Sequence, residues 1–159
     1  MQIRAAKTSD ASAIVEIWND VIGNTARTFT SELKTVEGIT SDIIARREAF
    51  IVAEGDSMIL GFATYFPFRG GNGYRHTTEH TISLRSAAQG RGVGRALMKK
   101  LEDVARQQGV HSLFAGVSGE NPDGIAFHTA LGYREVARLP EVGRKFDRWM
   151  DLVLMQKIL

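Results

Sequence analysis

The sequence predicts an α/β domain built on one mixed, mostly antiparallel central sheet flanked by helices, and three observations lead there. Segments with the two-residue alternation of strands are interleaved with segments of three- and four-residue helical spacing. Some neighbouring strands are joined by tight turns and others by whole helices, so one sheet must hold both antiparallel and parallel pairs. The 159 residues, 43% hydrophobic and 24% charged, suit a single domain over 1–159, since a second core would leave each half marginal.

The elements follow in order. "QIRAA" (Gln2–Ala6) alternates as a short strand. Thr8, Ser9 or Asp10 can cap the helix after it, where Ile14, Ile17, Trp18, Val21 and Ile22 form one apolar face. "GNTARTFTSE" (Gly23–Glu32) breaks that periodicity as a polar loop, and a second helix covers Val36–Glu48. "AFIVAE" (Ala49–Glu54) and "MILGFATYFPF" (Met58–Phe68) read as strands joined by the turn "GDS". "YRHTTEHTISL" (Tyr74–Leu84) reads as a long strand after the loop "RGGNG". A helix then carries Val93, Leu97, Leu101 and Val104 on one face until Gly109. "HSLFAGV" (His111–Val117) is a strand, and "NPDGIAFHTAL" (Asn121–Leu131) a short helix with Asn as cap and Pro next. "GYREVARL" and "DRWMDLVLMQKI" read as two closing strands.

Charge and composition narrow the function. Lys+Arg 20 against Asp+Glu 18 is too even for a nucleic-acid binder relying on bulk attraction. With no cysteine, disulfides, thiolate metal sites and a Cys nucleophile are excluded. The opening "MQIRAAKTSD" lacks an apolar signal core, and no stretch approaches the ~18 apolar residues of a membrane span. A cytoplasmic location is the expectation.

The richest signal is "QGRGVGRALM" (Gln89–Met98), three glycines and two arginines at the head of a helix. A helix N-terminus leaves amides unpaired and attracts phosphate. Glycine lets a diphosphate reach the backbone, and Arg91 and Arg95 add charge-assisted hydrogen bonds. Two phosphate loops fail here. After Gly94 come Arg95 and Ala96 rather than Lys-Ser/Thr, and Gly90, Gly92 and Gly94 are evenly spaced rather than GxGxxG. The pattern met is Gln/Arg-x-x-Gly-x-Gly/Ala, at Gln89, Gly92 and Gly94.

That pattern, with the order of elements along the whole chain, resembles the acetyl-coenzyme A loop of the GNAT N-acetyltransferases. "HTTEHTISL", "AFHTALGY" and the tail "EVGRKFDRWMDLVLMQKIL" resemble their phosphinothricin and methionine sulfoximine acetyltransferase branch. The resemblance implies acetyl-CoA as co-substrate, no metal, a small amino-acid-like amine as acceptor and a possible homodimer. It assigns Ile82, Ser83 and Leu84 to the pantetheine arm, one of their amides serving as an oxyanion donor worth ~2.7–4 kcal/mol. Gln89, Gly90, Arg91, Gly92, Val93, Gly94 and Arg95 then hold the pyrophosphate. Asn121 is a helix cap, a coenzyme A contact, or both.

By the same resemblance Glu79 in "TTEHT" is the general base, since an amine is mostly protonated at neutral pH. His128 takes the place of the acid for the departing thiolate, a role that needs a pKa near neutral. Arg69 and Arg75, flanking "GGNGY", are candidates for the acceptor's carboxylate, and Phe29 for its apolar side chain. Lys145 and Trp149 either line the pocket or close the final hairpin. Two positions depart from the family pattern: Gly124 stands where a Ser is frequent, and Ser83 where a Tyr is usual. With no Cys, and no Ser or Lys marked for acylation, the expected route is direct attack in a ternary complex.

Two rival functions remain with the fold unchanged: acetylation of a protein N-terminus or lysine, and a non-catalytic coenzyme A sensor. "HTTEH" (His76–His80) also matches the zinc motif H-x-x-E-H, but in a strand its histidines lie ~13 Å apart.

Overall fold

The computed structural model describes Met1–Leu159. Its strands are β1 (Gln2–Ala5), β2 (Phe50–Gly55), β3 (Met58–Pro67), β4 (Thr77–Leu84), β5 (Ser112–Ser118), β6 (Arg134–Lys145) and β7 (Arg148–Ile158). Its helices are α1 (Ala11–Asn24), α2 (Val36–Arg46), α3 (Val93–Gln107) and α4 (Pro122–Ala130). The strands form one seven-stranded sheet in the order β1-β2-β3-β4-β5-β7-β6. All neighbours are antiparallel except β4 and β5, which run parallel because α3 carries the chain back between them.

Alternation along the strands sorts side chains onto two faces. Phe50, Val52 and Phe62 meet Ile14, Ile17, Ile39 and Ile43 of α1 and α2 on one face. Ile51, Ala53, Ala63, Leu113 and Ala115 meet Leu97, Met98, Leu101 and Ala105 of α3 on the other. Those three large α3 side chains are fully buried, at roughly 1.5–3 kcal/mol each. They anchor the helix along its length and leave the backbone amides of its first turn free for other partners. Asp56 and Ser57, and again Phe146 and Asp147, take left-handed φ values of 52–60°. That is the conformation a two-residue hairpin requires.

Most boundaries shift from the sequence reading by a residue or two, and three of the differences have a visible cause. Asn72–Tyr74 form a 3-10 turn, so β4 starts at Thr77 rather than Tyr74. The second helix stops at Arg46, because Arg47 swings to φ 51°. β6 runs on past Leu139 to Lys145, through Pro140 and a register slip between Leu139 and Gly143. Proline is tolerated there because β6 is an edge strand with no ladder bond to lose on its outer side.

Candidate functional site

Pairing between β4 and β5 ends at His80 opposite Ala115, although the strands continue to Leu84 and Ser118. The strands part there, and a cleft of about 720 Å³ opens between them. Thr77 accepts from Phe68 N–H at 3.2 Å, and Arg85 N–H donates to Leu60 at 2.8 Å. Odd-numbered residues of β4 therefore direct their backbone groups toward β3, and even-numbered ones toward β5. Beyond His80 this leaves the amides and carbonyls of Ile82 and Leu84 facing the cleft, while those of Ser83 face β3.

The glycine turn ends in a left-handed residue. Gly92 is the N-cap of α3 with φ 78°, and Gly90 has φ 71°. None of the amides from Gly90 to Arg95 donates to the protein; the first helical bond runs from Ala96 N–H to Gly92. Successive amides turned one way make an anion-binding concavity, and the helix N-terminus adds partial positive charge. Gln89, Gly90, Gly92, Gly94 and Arg95 line the cleft, Arg91 is exposed beside it, and the Val93 side chain is in the core. Gly94 has another reason to be glycine: a Cβ there would sit 3.1 Å from the Phe127 ring of α4. The donor set fits a diphosphate, and the splayed strand fits an amide-bearing arm.

Asn121 caps α4, its Oδ1 accepting from Gly124 N–H at 3.0 Å. A Cβ at Gly124 would lie 2.4 Å from Asn121 Nδ2. This accounts for a glycine where the resemblance leads one to expect Ser. The Gly124 carbonyl accepts from His128 Nδ1 at 2.7 Å, which fixes the proton on that nitrogen. His128 Nε2 meets His80 Nε2 at 2.9 Å, so in the neutral pair His80 is the donor. The two rings are only 5–6% exposed. Burial lowers His128 and holds His80 well below the ordinary imidazole range. His128 is thus uncharged at neutral pH. The sequence offered no signal for His80 as its partner.

Glu79 lies on the opposite face of β4 from His80. Its register partner Phe66 and the nearby Phe62 share the α1–α2 face, where Trp18 packs 4.8 Å from Phe62. The Glu79 carboxylate lies beside Gly116, with Oε2 3.6 Å from where a Cβ would stand. Burial raises its pKa above the usual carboxylate value. The cleft therefore reaches through the sheet, with Glu79 on one side and His128 on the other.

Phe29 lines the cleft on the Glu79 side, with Arg27, Thr28, Thr30, Lys34 and Trp18. Arg69 and Arg75 do not line it. Arg69 stacks over Tyr74 at 5.4 Å, and Arg75 Nε donates to His76 Nε2 at 3.1 Å. The cations the cleft does contain on this side, Arg27 and Lys34, carried no motif. Lys34 is held in place by paired backbone bonds to Asn19, at 2.7 and 3.0 Å, and lies over Trp18. His76 bonds the Gly109 carbonyl at 2.8 Å and His80 bonds His128, so the two histidines of the zinc-like motif serve different partners. Trp149 is 58% exposed on the final hairpin, and Tyr133 is buried with its hydroxyl on Glu102.

A profile of the acetyltransferase (GNAT) family matches residues 14–133. The chain is 37% identical to an L-methionine sulfoximine/L-methionine sulfone acetyltransferase of Salmonella typhimurium, over 98% of this chain and 93% of that one. Among solved structures, a ribosomal-protein-alanine N-acetyltransferase from Brucella melitensis superposes with TM-score 0.95 at 39% identity, covering 100% of both chains. A phosphinothricin acetyltransferase from Sinorhizobium meliloti in complex with acetyl-CoA superposes with TM-score 0.93 at 27% identity, over 99% of this chain and 88% of that one.

Proposed function

The chain belongs to the GNAT acetyltransferase family and is an acetyl-CoA-dependent acyltransferase; from that premise we propose that its acceptor is the α-amine of a small amino-acid-like compound. Methionine sulfoximine, methionine sulfone and phosphinothricin are the first candidates. The observation that carries this reading is the cleft through the sheet. Glu79 and His128 both line it, and this supports an amine approaching on the Glu79 face and a thiol on the His128 face. Gly90 to Arg95 hold the pyrophosphate, with Gln89 and Asn121 at its edges, and the backbone of Ile82 and Leu84 holds the pantetheine arm. An amide on that strand stabilises the developing oxyanion. Glu79, made more basic by burial, accepts the amine's proton directly or through water. The amine then attacks the thioester within a ternary complex. With Nδ1 of His128 on the Gly124 carbonyl and Nε2 on His80, His128 serves the departing sulfur only once Nε2 turns from His80. Because burial keeps the histidine pair neutral, it must gain a proton before it can give one. Its contribution therefore grows as pH falls, opposite in sign to that of Glu79.

A cytoplasmic enzyme, assembled as a homodimer, completes the proposal. The acceptor's carboxylate is assigned to Arg27 and Lys34 within the cleft, with Arg69 and Arg75 as the outer alternative. A second reading, acetylation of a protein N-terminus, is favoured by the Brucella relative's name. The test is thiol release from acetyl-CoA across these amines and an alanine-terminated peptide, repeated with Glu79→Gln, Lys34→Ala and Arg75→Ala. Turnover on the free amino acids, lost in the first variant and with KM for the amine raised in the second, supports the assignment. A rise in Arg75→Ala alone moves the carboxylate site outward, and turnover only on the peptide replaces the acceptor.

A further inference from the structure

β6 is exposed along nearly all its length, and only Gly143 and Lys145 in it are buried. Both are buried against the same thing, the loop between α1 and α2. Lys145 is 7% exposed and has no carboxylate partner. Its ammonium donates instead to three backbone carbonyls, Ile22 at 2.6 Å, Thr25 at 2.8 Å and Thr28 at 2.9 Å. The Ile22 carbonyl belongs to the last turn of α1, where helical carbonyls lack internal partners and a cation is favoured by the dipole. The other two carbonyls lie in the loop itself. One ammonium thus ends the helix and shapes the chain that leaves it. Two residues earlier, Gly143 leaves a gap filled by Phe29, whose ring atoms lie 2.3–2.6 Å from where a Cβ would stand.

The loop so held supplies Arg27, Thr28, Phe29 and Thr30 to the Glu79 side of the cleft. We propose that Lys145 is a positioning residue for the acceptor amine, holding the α1–α2 loop from the distant β6–β7 hairpin, with Gly143 seating Phe29. This rests on the acceptor site assigned above. Lysine suits the task better than arginine. Three donors diverge from one nitrogen toward three carbonyls, whereas a guanidinium presents a flat fork that cannot reach all three.

The test compares Lys145→Met, Lys145→Arg and Gly143→Ala with the wild type, measuring KM for methionine sulfoximine and for acetyl-CoA separately. Hydrogen exchange of the amides from Thr25 to Thr30 is followed in parallel. Unpairing buried carbonyls is expected to raise KM for the amine about tenfold in Lys145→Met, with KM for acetyl-CoA unchanged. Lys145→Arg is expected to recover only part of that loss. Gly143→Ala is expected to reproduce the amine effect without touching the ammonium, which keeps the proposal testable if Lys145→Met does not fold. Folded variants whose KM for the amine is unaltered, or whose two KM values move together, overturn it. Wild-type protein that turns over none of these amines instead defeats the acceptor assignment, and exchange no faster in Lys145→Met then overturns the hold of Lys145 on the loop as well.

Discussion

The two walls of the cleft are made in different ways. The wall proposed for coenzyme A, from Ile82 to Arg95, is a continuous stretch whose offered groups are mostly backbone: unpaired amides on β4 and on the first turn of α3. The wall proposed for the acceptor, from Arg27 to Lys34, offers side chains on a loop without regular structure. That loop is held by Asn19 on one side and by Lys145, more than a hundred residues away, on the other. A backbone wall tolerates side-chain change and fixes one ligand. A side-chain wall on a borrowed support can be altered piecemeal, which suits a fold that must accept different amines.

Perturbing each wall separately sharpens the contrast. The largest effect is expected from Glu79→Gln, which keeps shape but removes the base. It should lower kcat by about a hundredfold or more while leaving coenzyme A affinity intact, read by steady-state kinetics and calorimetry. Gly92→Val attacks the other wall through the backbone. Forcing a branched side chain into φ 78° is expected to weaken coenzyme A binding by about tenfold, with KM for the amine little changed. A variant that binds coenzyme A normally would show the left-handed cap to be dispensable. Removing charge alone, in Arg95→Ala, should cost less, about a few-fold, and the loss should shrink at high salt.

The legibility of the two walls differed for the same reason. Glu79, His128, Asn121 and the Gln89–Arg95 turn belong to short motifs that a linear reading displays, although His80 beside His128 and Gly116 beside Glu79 are far off in sequence. The acceptor wall depends on pairings that no periodicity records, such as Lys145 with Thr28 or Phe29 with Gly143. Arg69 and Arg75 looked suited to a carboxylate by residue type and loop position. Their engagement with Tyr74 and His76 is visible only in three dimensions. The helices and central strands were plain from periodicity. The extension of β6 to Lys145 was hidden by Pro140 and Gly143, whose cost is absorbed at a sheet edge and a register slip.

Two pH effects follow from the buried groups. Glu79 has a raised pKa, so its basic form is lost as pH falls through a value above the usual ~4.3. The acid limb of kcat/KM should lie correspondingly high and vanish in Glu79→Gln. His80 and His128 have lowered values, so the unfolded chain binds protons the native pair refuses. Stability is full above the unfolded value of ~6.5 and erodes as pH falls through it. Tm followed from about pH 7.5 to 5 should drop less steeply in His80→Gln. This is the smallest effect, and an equal drop in both proteins would detach the pair from acid sensitivity.

In the proposed reaction the acetyl group crosses the sheet between β4 and β5, with thiol and amine approaching from opposite faces. A crystal structure of the complex with coenzyme A and methionine sulfoximine tests it most directly. The diphosphate is expected on the Gly90–Arg95 amides, the sulfur on the His128 side and the amine within hydrogen-bonding reach of Glu79 or one water from it. Sulfur and amine on the same face, or a diphosphate bound away from that turn, would contradict it.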